Sequence, residues 1–265
     1  MRKLVLLCIW GLLVGLGPAE GDYQRLLTLY RAERWPDAIV LVKRLIAEYP
    51  EPTSLQSIAT APEATGLLRQ PEWPEIQAAY FARLDGALAA QPGIPFEIEC
   101  RAIKDQWARF ALIANPKGPS YLELDRDNSQ RLKEIVAQQG WPRKSVWGER
   151  PAQAAWILLQ HSPDPEFQAE MLPLLEKLVP EKECSPSGYA LLYDRVQLRH
   201  GRPQRYGSQV QKVDGKWQPV PPLQEPERLD ALRAEMGMPP IAEYLQMIVQ
   251  MYDKPKASRG WFQSQ

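Results

Sequence analysis

The sequence is poor in the residues that carry most recognisable chemistry. Of 265 residues, three are cysteine and two are histidine. It contains no His-Glu-x-x-His, no Cys-x-x-Cys, no phosphate loop and no dinucleotide-type glycine pattern. Histidines and cysteines this few, and this far apart in sequence, argue against a dedicated transition-metal site; no metal and no cofactor are expected. An excess of one charge is missing too. The 32 Lys and Arg residues balance 32 Asp and Glu, without a basic block, which argues against nucleic acid as a partner. Beyond the N-terminus no apolar run approaches the roughly 20 residues that span a bilayer.

What is present begins with an export signal. Arg2 and Lys3 form a basic start, Leu4 to Gly17 is almost wholly apolar, and Gly17-Pro18-Ala19 supplies small residues for cleavage. Residues 1–19 are therefore expected to be a signal peptide and the protein periplasmic or extracellular. The alternative is an uncleaved N-terminal anchor, the sole membrane contact considered. Cys8 follows Val5-Leu6-Leu7 and lacks the small residues that precede a lipidated cysteine. In an oxidising compartment Cys100 and Cys184 are a disulfide candidate that would tie the two halves of the chain together. Two buried free thiols are the other reading.

The rest reads as helices punctuated by 26 prolines. Tyr23, Leu26, Leu27 and Tyr30 recur at helical spacing. After Arg34-Trp35-Pro36, so do Ala38, Ile39, Val42, Leu45 and Ile46. Residues 51–74 have weak periodicity and read as a loop with one short helix. Helices follow over 75–90 and 94–115, the second with Trp107 at core spacing. Asn115-Pro116-Lys117-Gly118-Pro119 is a breaker run, and the domain boundary is expected there. Further helices are marked by Leu132 and Ile135, by Ala155, Trp156 and Leu159, and by Phe167 to Leu178. The last of these carries Pro173, where a kink is expected, and a helix from Ser185-Pro186 to His200 follows it. Val213-Asp214-Gly215-Lys216 is a hairpin signal. Two short helices close the chain before a polar tail. The fold class is mainly α, with helical hairpins, a helical C-terminal domain and one small β-hairpin near 208–219.

Two resemblances sit on this frame. Trp35-Pro36-Asp37-Ala38, the helix after it and Tyr49-Pro50 resemble one tetratricopeptide-like helix pair over residues 23–50; no second copy occurs, so no solenoid follows. Gly140-Trp141-Pro142, Ala154-Ala155-Trp156, Gln160-His161, Phe167-Gln168, Asp194-Arg195, Gly201 and Pro203-Gln204 with Tyr206-Gly207-Ser208-Gln209 resemble the bacterial DUF6624 family. Pro222-Leu223, Asp230, Arg233 and Gly237-Met238-Pro239-Pro240 with Tyr244 continue the likeness, which implies a domain and a site location but no reaction. The expected organisation is a signal peptide (1–19), an N-terminal helical region (20–115), a C-terminal DUF6624-like domain (120–252) and a tail (253–265).

The candidate site lies between residues 140 and 209. His161 ends an apolar helix, where it could act as acid or base or simply cap the helix. Asp194 shares a helical face with Leu191 and Leu198, so a carboxylate falls inside an apolar stripe and needs a partner. His161 or Arg202 could serve. An oriented His–Asp pair would be catalytic, whereas a buried ion pair would be structural. Arg195, Gln204, Tyr206, Gln209 and Trp141 are the candidate ligand-binding groups around that pair. Ser208 lies outside any Gly-x-Ser-x-Gly elbow. The expected role is ligand binding or a hydrolase-like reaction on an unknown small molecule. The alternative is a periplasmic interaction or scaffold protein whose N-terminal helix pair binds a protein partner.

Overall fold

In a computed structural model, residues 20–116 and 120–253 are described. The expected signal peptide and positions 254–265 of the expected tail lie outside the described residues. The described chain is mainly α-helical, with one two-stranded antiparallel sheet near the C-terminal end. Among the described residues no helix is long and apolar enough to cross a membrane. The chain divides into two compact units that part between Asp164 and Pro165.

The first unit opens with α1 (Glu20–Arg31) and α2 (Trp35–Glu48) packed as a pair. Pro36 sits in the first turn of α2, where its missing N–H costs no hydrogen bond. Leu26 and Tyr30 of α1 and Val42, Leu45 and Ile46 of α2 are buried, as their helical spacing requires. Residues 51–74, read as a loop with one short helix, are more ordered than that reading allows. They form two 3-10 segments around α3 (Ser57–Thr60), and Leu55, Ile58, Leu67 and Leu68 enter the core. Three aromatic tips satisfy carbonyls of this irregular backbone. Tyr80 Oη donates to Pro52 O at 2.7 Å, Trp107 Nε1 to Gln56 O at 3.0 Å and Tyr30 Oη to Ile58 O at 3.0 Å. Weak periodicity hid a segment whose order depends on donors supplied from other helices. Trp35 lies against Gly66 so closely that a Cβ there would stand 2.1 Å from the indole.

The unit continues with α4 (Trp73–Ala90), α5 (Ile94–Ala114), α6 (Leu122–Gln139), α7 (Lys144–Trp147) and α8 (Glu149–His161). Both α6 and α8 pack on α5. Helices α5 and α6, on either side of the breaker run, thus lie in one compact unit, and the expected division at 115–120 is not where the units part. A proline-rich turn stops a helix whether or not the helices on either side share a core, which is why it misled.

The second unit holds α9 (Pro165–Leu178), α10 (Pro186–Arg199), β1 (Val210–Val213), β2 (Lys216–Pro219), α11 (Leu229–Glu235) and α12 (Ile241–Tyr252). Helix α9 is continuous through Pro173 and packs on α10. Ser185 caps α10 by accepting Gly188 N–H at 3.3 Å. The hairpin forms where Asp214-Gly215 foretold it: both residues take positive φ, 48° and 78°, and Val213 pairs with Lys216. Val210, Tyr244 and Ile248 make a small core beneath it, flanked by Trp217.

The candidate Cys100–Cys184 disulfide is not formed, and both thiols are buried. Cys100 belongs to the apolar core of the first unit, where burial pushes its thiol up to about 12. In the second unit Cys184 directs its sulfur toward the Ser185 carbonyl, 3.6 Å away.

Candidate functional site

The polar residues singled out by sequence separate into two groups, one in each unit. In the second unit α10 carries Asp194 on its inner face, fully buried at 0 % exposure. Its partners are backbone amides. Oδ1 accepts Arg205 N–H at 2.7 Å and Tyr206 N–H at 3.0 Å, and Oδ2 accepts Ser208 N–H at 2.8 Å. Gly207, at φ +61°, lets the chain curl around the carboxylate. Burial raises the Asp194 carboxyl, and the Tyr206, Ser208 and Arg205 amides pull against that rise.

The neighbouring groups are engaged in the same way. Gln204 Nε2 donates to Gln209 O at 3.0 Å and to Val220 O at 2.6 Å, while its Oε1 accepts Gln209 N–H at 3.0 Å. Gln209 Nε2 donates to Ser208 Oγ at 3.2 Å. Arg233, which carries the likeness in α11, donates to the Tyr206 and Pro239 carbonyls, both at 2.7 Å, and Tyr244 Oη donates to Ser208 O at 2.8 Å. Tyr206 packs edge-on against Tyr193, and burial lifts its phenol to about 12. Arg195 is also buried. Asp194, Gln204, Tyr206 and Gln209 are therefore brought together, as lacing for the 203–209 turn. Backbone groups take up both oxygens of Asp194 and the side-chain amide of Gln204, while Gln209 Oε1 and Arg233 Nη2 are buried without a hydrogen-bond partner.

His161 and Trp141 belong to the first unit. Trp141 is buried just after α6, where Gly140 takes φ +76°. His161 closes α8 with its side chain 6 % exposed. The carboxylate it meets is Asp105 of α5, with His161 Nδ1 2.5 Å from Asp105 Oδ2. The carboxylate on His161 is thus Asp105, while Asp194 meets the amides of Arg205, Tyr206 and Ser208. Asp105 is fully buried and is also held by Arg109, whose Nε lies 3.2 Å from both carboxylate oxygens. Gln106 adds a bond of 3.1 Å. On its far side Arg109 ion-pairs with Asp125 of α6 and lies 4.2 Å from the centre of the Tyr121 ring. The order Asp125, Arg109, Asp105, His161 is a chain of alternating charge carriers.

Two carboxylates on one guanidinium separate in their acidity. Burial would raise Asp105, but His161 and Arg109 outweigh it and hold the carboxyl well below the ordinary carboxylate range. Asp125 goes the other way. Burial lifts it to about 6, Arg109 opposes, and the charge of Asp105 adds to the rise. Asp105 is thus the ionised partner that orients a neighbouring imidazole and stabilises its cation. Close by, Ser129 Oγ and Ser162 Oγ share a hydrogen bond of 2.6 Å, and Lys133 pairs with Asp164. Among the described residues no group of three or more His, Cys, Asp or Glu side chains is arranged to hold a metal ion.

Asp105, Arg109 and Asp125 were missed by sequence reasoning. The signal was the same one that marked Asp194. Asp105 falls seven residues after Ile98 and three after Ala102, inside the buried stripe of α5. A family model described as a family of unknown function (DUF6624) matches residues 102–255. Both polar groups fall inside that stretch. No curated protein and no solved structure matches the chain.

Proposed function

We propose, for a chain that belongs to the DUF6624 family, an exported bacterial protein with a ligand-binding or hydrolase-like site at His161. One observation carries this reading: the His161–Asp105 contact, backed by Arg109 and Asp125. An ionised carboxylate on Nδ1 fixes the tautomer and the ring plane, so any proton exchanged with a substrate passes through Nε2. Arg109 keeps Asp105 ionised, and the imidazolium formed on taking a proton then has a counter-charge at 2.5 Å. His161 is the general base or acid in this scheme, with Asp105 and Arg109 as positioning residues. Asp194 is assigned to the architecture of the 203–209 turn.

A thermal-shift screen of metabolites, with a parallel panel of chromogenic esters and phosphoesters, tests the reading on wild type, His161→Ala and Asp105→Asn. A responding ligand should lose its effect in His161→Ala. Turnover, where found, should fall by about 10²–10⁴-fold in that variant. If His161→Ala merely melts earlier and answers every ligand as wild type does, His161 is a structural residue. Export rests on Arg2-Lys3, the apolar run and Gly17-Pro18-Ala19. Intact-mass measurement on the periplasmic fraction should find a chain that begins near Glu20, and finding Met1 there would contradict cleavage.

A second reading, a periplasmic interaction or scaffold protein, draws support from the backbone amides that fill both oxygens of Asp194. It gains further if the metabolite screen is empty and the α1–α2 pair captures a partner that the Val40→Asp variant cannot; Val40 is a large exposed apolar side chain on α2.

A further inference from the structure

Between α2 and α4 the first unit carries a groove of about 440 Å³. Its apolar walls are Ile46 and Ala47 from α2 and Ile76 and Ala79 from α4. Three charged side chains also line it. Lys43 and Glu75 pair with each other at 3.0 Å and cancel. The third is Arg83. It donates from one terminal nitrogen to the Tyr49 carbonyl at 3.0 Å, while its Nε is buried and has no hydrogen-bond partner. No Asp or Glu among the described residues pairs with it. A guanidinium does not shed its proton, so the groove holds one positive charge with no counter-charge beside apolar walls. Unsatisfied buried donors are rare in folded proteins, and each calls for an explanation.

We propose that this groove binds a small aliphatic monocarboxylate. The alkyl body would lie on Ile46, Ala47, Ile76 and Ala79, and the carboxylate would take the open positions of Arg83. The lining asks for a single negative charge, since Lys43 and Glu75 neutralise each other. A planar fork such as Arg83 is suited to a carboxylate, which can accept two parallel N–H bonds. The volume falls within the range of about 300–1,000 Å³ usual for small-molecule sites. The groove precedes the 102–255 stretch and shares no residue with the His161 group. It stands or falls independently of the function proposed above.

The test is isothermal titration of purified full-length protein with octanoate, octanol and octylamine, three probes that share a chain and differ in the head. Octanoate should bind, octanol should bind at least about tenfold more weakly, and octylamine should not bind. Arg83→Met and Ala79→Trp should each weaken octanoate by about tenfold or more. The second variant fills the groove from an exposed position and leaves the Arg83–Tyr49 bond in place. It therefore decides the matter even if Arg83→Met folds poorly. Absence of octanoate binding to wild type, equal binding of octylamine or octanol, or unchanged binding to Ala79→Trp would each overturn the proposal.

Discussion

Replacing Asp194 by Ala removes an acceptor from three amides at once, two of them buried and that of Arg205 half-buried. Arg205, Tyr206 and Ser208 N–H lie 2.7, 3.0 and 2.8 Å from its oxygens. Leaving a buried donor without a partner costs about 1–3 kcal/mol, so the three together set a range of about 3–9 kcal/mol. Two effects reduce it. Removing the carboxylate relieves the burial penalty that raises its pKa, and the loosened turn admits water to some of the amides. The expected net loss is about 2–4 kcal/mol, a large share of the roughly 5–15 kcal/mol that holds a domain together. Asp194→Asn keeps one carbonyl oxygen for two of the amides but sets an NH₂ against the third. It should lose about 1–2 kcal/mol. Guanidinium unfolding followed by far-UV circular dichroism reads both losses from the shift in midpoint. Asp194→Ala within about 0.5 kcal/mol of wild type, the scatter of ordinary surface changes, would refute the assignment of Asp194 as the lace of the 203–209 turn.

Further outcomes follow from the same structure. The Asp125 carboxyl stands at about 6 when folded against roughly 3.9 unfolded. The folded state therefore holds that proton more tightly, and the contribution of Asp125 to stability is full below about pH 4 and lost as pH rises through about 6. The melting temperature of wild type minus that of Asp125→Asn should fall between those limits, and a flat or rising difference would contradict the Asp125 assignment. Gly66→Ala should destabilise the first unit by about 1–3 kcal/mol through overpacking, because the new methyl would stand 2.1 Å from a Trp35 ring carbon. Thermal unfolding measures it, and a wild-type midpoint would mean the ring moves freely. Cys100, buried with its thiol raised to about 12, should resist a thiol reagent until the protein unfolds. Rapid labelling of Cys100 in the native state would show that the core opens.

Much of the secondary structure was legible because apolar spacing repeats the helical period. Leu26 and Tyr30, Val42 and Ile46, and Trp107 all lie inside where that period put them. Asp214-Gly215 marked the hairpin through a backbone requirement that few other residue pairs meet. Asp194 was picked out as a carboxylate in an apolar stripe, and it is buried. The misreadings have one cause. Residues 51–74 and the breaker run after Ala114 look irregular locally, yet Tyr80 and Trp107 order the former and α8 brings the helices on both sides of the latter onto one core.

By itself the sequence determined the helical class, the place of the hairpin and which polar residues are too costly to bury without partners. Each of these depends on spacing along the chain or on the φ/ψ limits of single residues. The partners were decided only by tertiary structure. Nothing within α10 announces that Asp194 will accept the amides of 205–208. Likewise, 56 residues separate Asp105 from the His161 ring it holds. Whether a buried carboxylate orients an imidazole or laces a turn depends on what the fold carries to its oxygens, and spacing along the chain does not record that.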